Sequence, residues 1–295
     1  MSVSRDDLRT NDSLRLSAST HGAGAVRAIV PNGAYYARDL APLWSRRAAL
    51  VYDLRNRGAS DAATDVATLS RGIWNDVDDL ESVRCQLDVD RVDLVAHSYV
   101  AAVAVLYAVA HPSRVGRVVL IGPGGHGIGH KAPPSPDAAV RGVFARLGGL
   151  QFAADASPKE RCEAFWRVLA ELYVVDPVHV GVVAGWGRCD CANERAFMAY
   201  WTTYIEPSLK ALTLADADLA RVSCPVLVVH GARDRSADYA GGRAWARRLL
   251  DARLLTVPEA AHAPWLEAPD LVIPAIDAFL RGTWPAAAER VPPTN

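Results

Sequence analysis

No stretch of this sequence approaches the roughly 20 consecutive apolar residues that a membrane-spanning helix needs, so no membrane association is expected. The opening MSVSRDDLRTNDS is polar and acidic where a secretory signal would carry an apolar segment. Charge is not concentrated either: the formal net charge is −1 and no long run has one sign. That balance lacks the electrostatic footprint of a nucleic-acid partner or an anionic surface. The five cysteines (Cys85, Cys162, Cys189, Cys191, Cys224) form no paired framework. Cys189-Asp190-Cys191 is the one close pair, and a single C-x-C without a second pair does not make a metal site. Free thiols in a reducing, cytoplasmic compartment are therefore expected. Internal repeats and low-complexity blocks are missing too. With 295 residues, 51% hydrophobic and 22% charged, the chain has ample material for a globular core.

The first half alternates short apolar runs with helical periodicity. Strands are expected over 26–30, 48–54, 92–96 and 115–121, with helical segments over 37–47, 72–87 and 99–110. Continuous apolar strands between helices indicate a parallel sheet covered on both faces. From 124 to 214 the rhythm changes to consecutive helical segments rich in aromatics, and strands return at 225–229 and 253–257. Helices are expected over 242–250 and 266–281. The simplest organisation is an α/β core of 1–123 and 215–295 with a helical cap, 124–214, inserted between two strands.

Glycine and proline are also absent where a turn is most needed. In VDLVAHSYVAAVAVLYA (92–108) an apolar strand stops at His97-Ser98-Tyr99 and an alanine-rich helix begins at once. A serine at such a junction is either a helix cap or a displayed hydroxyl. The remaining strand ends decide between these. Reactive groups in an open parallel sheet collect at the carboxyl ends of the strands. There stand Asn32-Gly33-Ala34 after 26–30, Ser98 after 92–96, Asp234 in HGARD, and His262 after LLTVPEAA. A serine hydroxyl needs an imidazole to take its proton, the imidazole needs a carboxylate to fix its tautomer, and the oxyanion needs two N–H donors. Asp238 is a nearby competitor for the acid. His97 is read as a packing or hydrogen-bonding group within the turn.

The chain resembles the α/β-hydrolase superfamily. AHSYV stands where the G-x-S-x-G turn stands, VPNGA where the His-Gly oxyanion segment stands, and YDLRNRGASD is similar to the Asp-x-Arg-Gly-x-Gly-x-Ser loop of the esterase and proline-iminopeptidase-like branch. HGARD and EAAHAPWLEAPD look like the family's acid and histidine motifs. The resemblance implies an α/β-hydrolase fold, a doubly wound and mostly parallel sheet, and a triad of Ser98, Asp234 and His262. It implies an oxyanion hole from the N–H groups of Tyr99 and of Ala34 or Gly33, and no cofactor. Ala96 and Val100 replace the usual glycines of the turn; Val100 calls for local adjustment. Asn32 replaces the histidine before Gly33.

The expected activity is hydrolysis of a moderately apolar ester, lactone or thioester through an acyl-enzyme. Asn32, Trp166, Trp186, Trp201 and Trp265 are the expected substrate contacts. An aminopeptidase of the proline-iminopeptidase type is the near alternative, with Glu163, Glu171, Glu194 and Glu206 available to hold a substrate amine. A non-hydrolytic cyclase and a ligand-binding module with a silent triad are the others. The partner expected is a small molecule, and aromatics on the insertion leave a homodimer open. His126 and His130 have i,i+4 spacing, but the glycines of HGIGH argue against a helix and so against a metal pair. The stretch 122–129 (GPGGHGIG) lacks the Lys-Ser/Thr of a phosphate loop and is read as a flexible exit. Arg55-Asn56-Arg57 is read as bracing for surrounding loops.

Overall fold

A computed structural model describes residues 8–33, 35–45, 47–133, 137–153 and 155–292. Seven strands form the central sheet: β1 (Ala18–His21), β2 (Val26–Pro31), β3 (Ala48–Tyr52), β4 (Val92–His97), β5 (Val115–Ile121), β6 (Val226–Gly231) and β7 (Ala252–Val257). Their spatial order is β1-β3-β2-β4-β5-β6-β7; β1 runs antiparallel to β3 and the remaining neighbours are parallel. The fold is that of an α/β hydrolase. The parallel strands are almost wholly buried, which is why they read as continuous apolar runs. β1 was not legible: ASTH is polar, mostly half-exposed, and occupies the sheet edge.

One helix packs on β4 and a second packs on that helix. α1 spans Ile73–Gln86 and α2 spans Val100–Ala110. α2 is buried from Val100 to Val109, so it carries apolar residues on every side rather than along one stripe. After β6 come α8 (Tyr239–Arg248) and, after β7, α9 (Pro269–Leu280). Two expected helices differ from the sequence reading. Residues 37–45 form turns and a short tight helix, Ala41–Ser45, because Pro42 has no N–H to give and restrains the residue before it. The final helix is broken at Ala268, ahead of Pro269, into Pro264–Glu267 and α9.

Between β5 and β6 run α3 (Ala138–Gly148), α4 (Pro158–Tyr173), α5 (Val180–Gly185), α6 (Ala192–Tyr200) and α7 (Glu206–Ala211). α4 opens on a capping box of Ser157 and Glu160, each satisfying an amide that the first turn leaves free. The reading of all five cysteines as free thiols is corrected here. Cys162 on α4 and Cys189 before α6 form a disulfide across 27 residues, while Cys85, Cys191 and Cys224 are free. Sequence spacing does not reveal pairing of this kind, because the partners meet only when the insert folds. Closing a loop of this length is worth about 3.5 kcal/mol in the chain-entropy account. Cys162→Ala/Cys189→Ala is thus expected to lower the thermal midpoint, with dithiothreitol doing the same to the native chain; an unchanged midpoint would mean that the link carries no stability. Among the described residues no helix is long and apolar enough to cross a membrane.

Candidate active site

β4 delivers Ser98 to the carboxyl edge of the sheet. Ser98 has φ +59°, a left-handed conformation that a serine adopts only when its surroundings enforce it. The enforcement is visible: its amide donates to the carbonyl of Ile121 on β5 at 2.9 Å, and α2 starts two residues later. Val100 needs no opening of this turn, since it is buried within the apolar cluster that holds α2. Ser98 lines a cavity of about 420 Å³. Tyr99 is the N-terminal cap of α2, so its amide belongs to the group that the helix leaves unpaired. Gly33 follows β2, the neighbour of β4, in a turn so close that a Cβ would stand 2.5 Å from Val30 Cγ1. Ala34 lies outside the described residues.

β6 delivers Asp234. Its Oδ1 accepts from the amides of Ser236 and Ala237, both at 2.8 Å. Its Oδ2 lies 2.8 Å from Nδ1 of His262 and 3.2 Å from Nε2 of His230, and all three side chains are inaccessible to solvent. Burial opposes ionisation of Asp234, but its electrostatic and hydrogen-bonding interactions with His262 and His230 outweigh it and hold the carboxyl well below its ordinary range. An ionised Asp234 can only accept, so Nδ1 of His262 carries the proton and Nε2 carries the lone pair. That Nε2 is buried without a hydrogen-bond partner among the described residues. Asp238, the competing acid, is engaged elsewhere: it caps α8 and lies 2.8 Å from Nε2 of His130.

Three residues near this pair were not singled out for it. His230 shares its Nε2 proton between Asp234 and the carbonyl of Ala237 at 3.1 Å. Gly122 sits at φ +53°, and a Cβ there would stand 2.9 Å from Nδ1 of His262 and 3.3 Å from Oδ2 of Asp234. Only glycine leaves room for the bond. Tyr173 at the end of α4 meets the His262 ring edge-on at 4.6 Å, and its carbonyl accepts from the amide of Ala263 at 2.9 Å. His97 donates from Nε2 to the carbonyl of His262 at 2.9 Å, and the two rings lie 4.5 Å apart. Burial, reinforced by His262, keeps the His97 imidazole neutral. Its role is to hold the backbone of His262.

The expected substrate contacts divide. Trp166 and Trp201 line the cavity. Trp265 does not: it is buried, stacked on Trp186 at 5.7 Å and set edge-on to His97 at 4.8 Å, so it forms the floor beneath the histidines. Trp186 is turned away from the cavity as well, donating from Nε1 to Asp39 at 3.1 Å. Asn32 is fully buried and donates to the phenolic oxygen of Tyr35 at 2.7 Å, bracing its own loop. In all three cases burial gave the side chain a structural neighbour that the sequence could not display. The glycine-rich stretch 122–129 is pinned rather than loose: Trp245 donates to the Gly124 carbonyl at 2.7 Å, and the amide of Leu214 donates to the Gly127 carbonyl at 2.7 Å.

The loop after β3 supplies more than bracing. Arg55 is bound by Asp79, at 2.6 and 2.7 Å, and by Asp12, which is the structural role expected of it. Arg57, in contrast, lines the cavity with Ser98, and it is the cation there that never loses its charge.

Comparison with known proteins agrees with this architecture. The family model described as the alpha/beta hydrolase family matches residues 20–275. A curated relative, the 2-hydroxy-6-oxo-6-phenylhexa-2,4-dienoate hydrolase of Comamonas testosteroni, is 26% identical over 198 residues, which cover 66% of this chain and 64% of the relative. The match therefore spans under two thirds of that enzyme's length. Among solved structures, an esterase from Exiguobacterium antarcticum has a TM-score of 0.73 at 15% identity, covering 95% of this chain and 100% of its own. The corresponding dienoate hydrolase from Rhodococcus has a TM-score of 0.74 at 19% identity, covering 95% and 99%. At these identities the structural likeness speaks for the fold.

Proposed function

The chain belongs to the alpha/beta hydrolase family, and from that premise we propose that it is a serine hydrolase cleaving a carboxylic ester, lactone or thioester of a moderately apolar small molecule. One observation carries the reading. The Asp234–His262 bond leaves Nε2 of His262 with an unspent lone pair, and the ring stands beside His97, the residue before Ser98. Ser98 attacks the carbonyl while His262 takes its proton; Asp234 fixes the tautomer and stabilises the imidazolium. The oxyanion is held by the amide of Tyr99 and by one from Gly33 or Ala34. His262 then returns the proton to the leaving group and activates water against the acyl-enzyme. Residues 124–214 act as a cap over the core of 1–123 and 215–295, and its aromatics give the cavity its apolar character. A phenyl-bearing substrate, as in the relatives' names, suits such walls.

The aminopeptidase alternative requires a free carboxylate in the cavity to hold the substrate amine. Glu163 pairs with Lys159, Glu171 with Arg146 and Glu206 with Lys210, while Glu194 is spent on Arg57. A panel of p-nitrophenyl esters of increasing chain length, with aminoacyl p-nitroanilides alongside, tests the reading. Release from esters with apolar acyl groups and none from the prolyl anilide is the expected outcome. Release from the prolyl anilide alone would replace it with the peptidase.

A further inference from the structure

Arg57 is an unusual group to find in an aromatic cavity, and its surroundings say how it can be used. Its side chain is 3% exposed and that of its partner Glu194 is 1% exposed. Nε donates to Oε1 of Glu194 at 3.1 Å and Nη2 to Oε2 at 3.2 Å; the amide of Gly58 adds a third bond to Oε1 at 2.7 Å. The ring of Phe197 covers one face of the guanidinium at 3.7 Å. One edge and one face of the guanidinium are thereby committed. Nη1 is the least committed nitrogen: its hydrogen bond to the phenolic oxygen of Tyr99 is 3.4 Å, longer than an ordinary N–H···O bond, and the Tyr35 ring lies 5.9 Å from the guanidinium carbon. Glu194 and Phe197 both belong to α6 of the insert, so the insert fixes the orientation of a donor that the core supplies.

The sheet order gives its position. Arg57 follows β3 and Ser98 follows β4, with β2 between them, so the segments that carry them leave the sheet about two strand spacings, roughly 10 Å, apart, and both residues line the one cavity. On the other side, after β5 and β6, lies the His130–Asp238 pair. Charge decides what Nη1 donates to. Glu194 already neutralises Arg57, so a substrate carboxylate would enter a buried site as an uncompensated charge, which is costly. A neutral oxygen needs only the donor.

Resting on the serine-hydrolase reading, we propose that Arg57 is a specificity-determining residue that donates from Nη1 to a neutral oxygen acceptor, such as a ketone, ester or ether oxygen, on the part of an apolar substrate remote from the scissile carbonyl. The preferred substrate class is then an aromatic or alkyl ester bearing a second, uncharged oxygen function.

The test compares p-nitrophenyl esters of a phenylalkanoic acid, the same series with a ketone replacing successive chain methylenes, and analogues carrying a carboxylate there. For the native enzyme, kcat/KM is expected to favour at least one keto ester over its methylene parent by about ten- to a hundredfold, the range for a hydrogen bond to a charged group. The carboxylates should be poorer than that keto ester. Arg57→Met/Glu194→Gln, which removes the buried charges together, is expected to bring the keto-to-methylene ratio to near one while its circular dichroism melt remains cooperative. Equal rates along the native series, a preference for the carboxylate, or a folded double variant that keeps the keto preference would each overturn the proposal. The native arms decide even if the double variant does not fold. Hydrolysis without discrimination removes only the Arg57 proposal, whereas no hydrolysis and no fluorophosphonate labelling would remove the serine-hydrolase reading as well.

Discussion

Ser98→Ala is expected to lower kcat/KM on any ester substrate by roughly 10⁴-fold or more, since the remaining groups can bind and polarise the carbonyl but cannot form an acyl-enzyme. The magnitude follows from the interdependence of the three side chains. Without the hydroxyl, the lone pair of His262 has nothing to activate but water. The folded state should change little. Alanine at φ +59° costs of the order of 1 kcal/mol, because serine shares most of that penalty already. The check is steady-state kinetics beside a thermal melt. Activity within tenfold of the native enzyme, with a normal melt, would show that Ser98 is a helix cap and that another group does the chemistry.

Asp234→Asn is expected to cost about as much, on the order of 10⁴ in kcat, for a different reason. An amide at this position presents an N–H where the carboxylate accepted, and Nδ1 of His262 must then turn its lone pair toward it. The proton moves to Nε2, and the base that faces Ser98 disappears. The same amide also faces the Nε2 proton of His230, donor against donor, so stability should fall together with activity. The pH dependence of that loss has a definite sign. The carboxyl is held below its ordinary range in the folded protein, so its contribution is complete above the unfolded pKa of about 3.9 and is lost as pH falls toward the folded value. The native chain and Asp234→Asn should therefore differ most in melting temperature near neutral pH and converge in strong acid. A difference that grows on acidification would contradict the ionised Asp234 on which the tautomer argument depends.

Local signals made much of this molecule legible. The apolar strands, the all-apolar α2 and the serine at their junction could be read because each depends on neighbours in sequence. That Asp234 and His262 would meet could be expected because both follow apolar strands of a parallel sheet, and strand ends in such a sheet share one edge. The rest depends on contacts that only the folded chain makes. Trp265 and Trp186 looked like cavity walls, but they stack on each other, and Trp265 meets His97 edge-on. Arg57 and Glu194 are 137 residues apart, and nothing along the chain announces their pairing. The Cys162–Cys189 link is hidden for the same reason. A signal for Gly122 did exist: a glycine directly after a buried strand, at the sheet edge where the triad was expected, marks a place where another group approaches the backbone.

Hydrolysis by this site requires one nucleophile activated by one imidazole. Intact-protein and peptide mass spectrometry after treatment with a fluorophosphonate examines that directly. A single adduct on the peptide containing Ser98 is expected, absent from Ser98→Ala and forming far more slowly in His262→Ala. An adduct on a different residue, or equally rapid modification of Ser98 without His262, would contradict it.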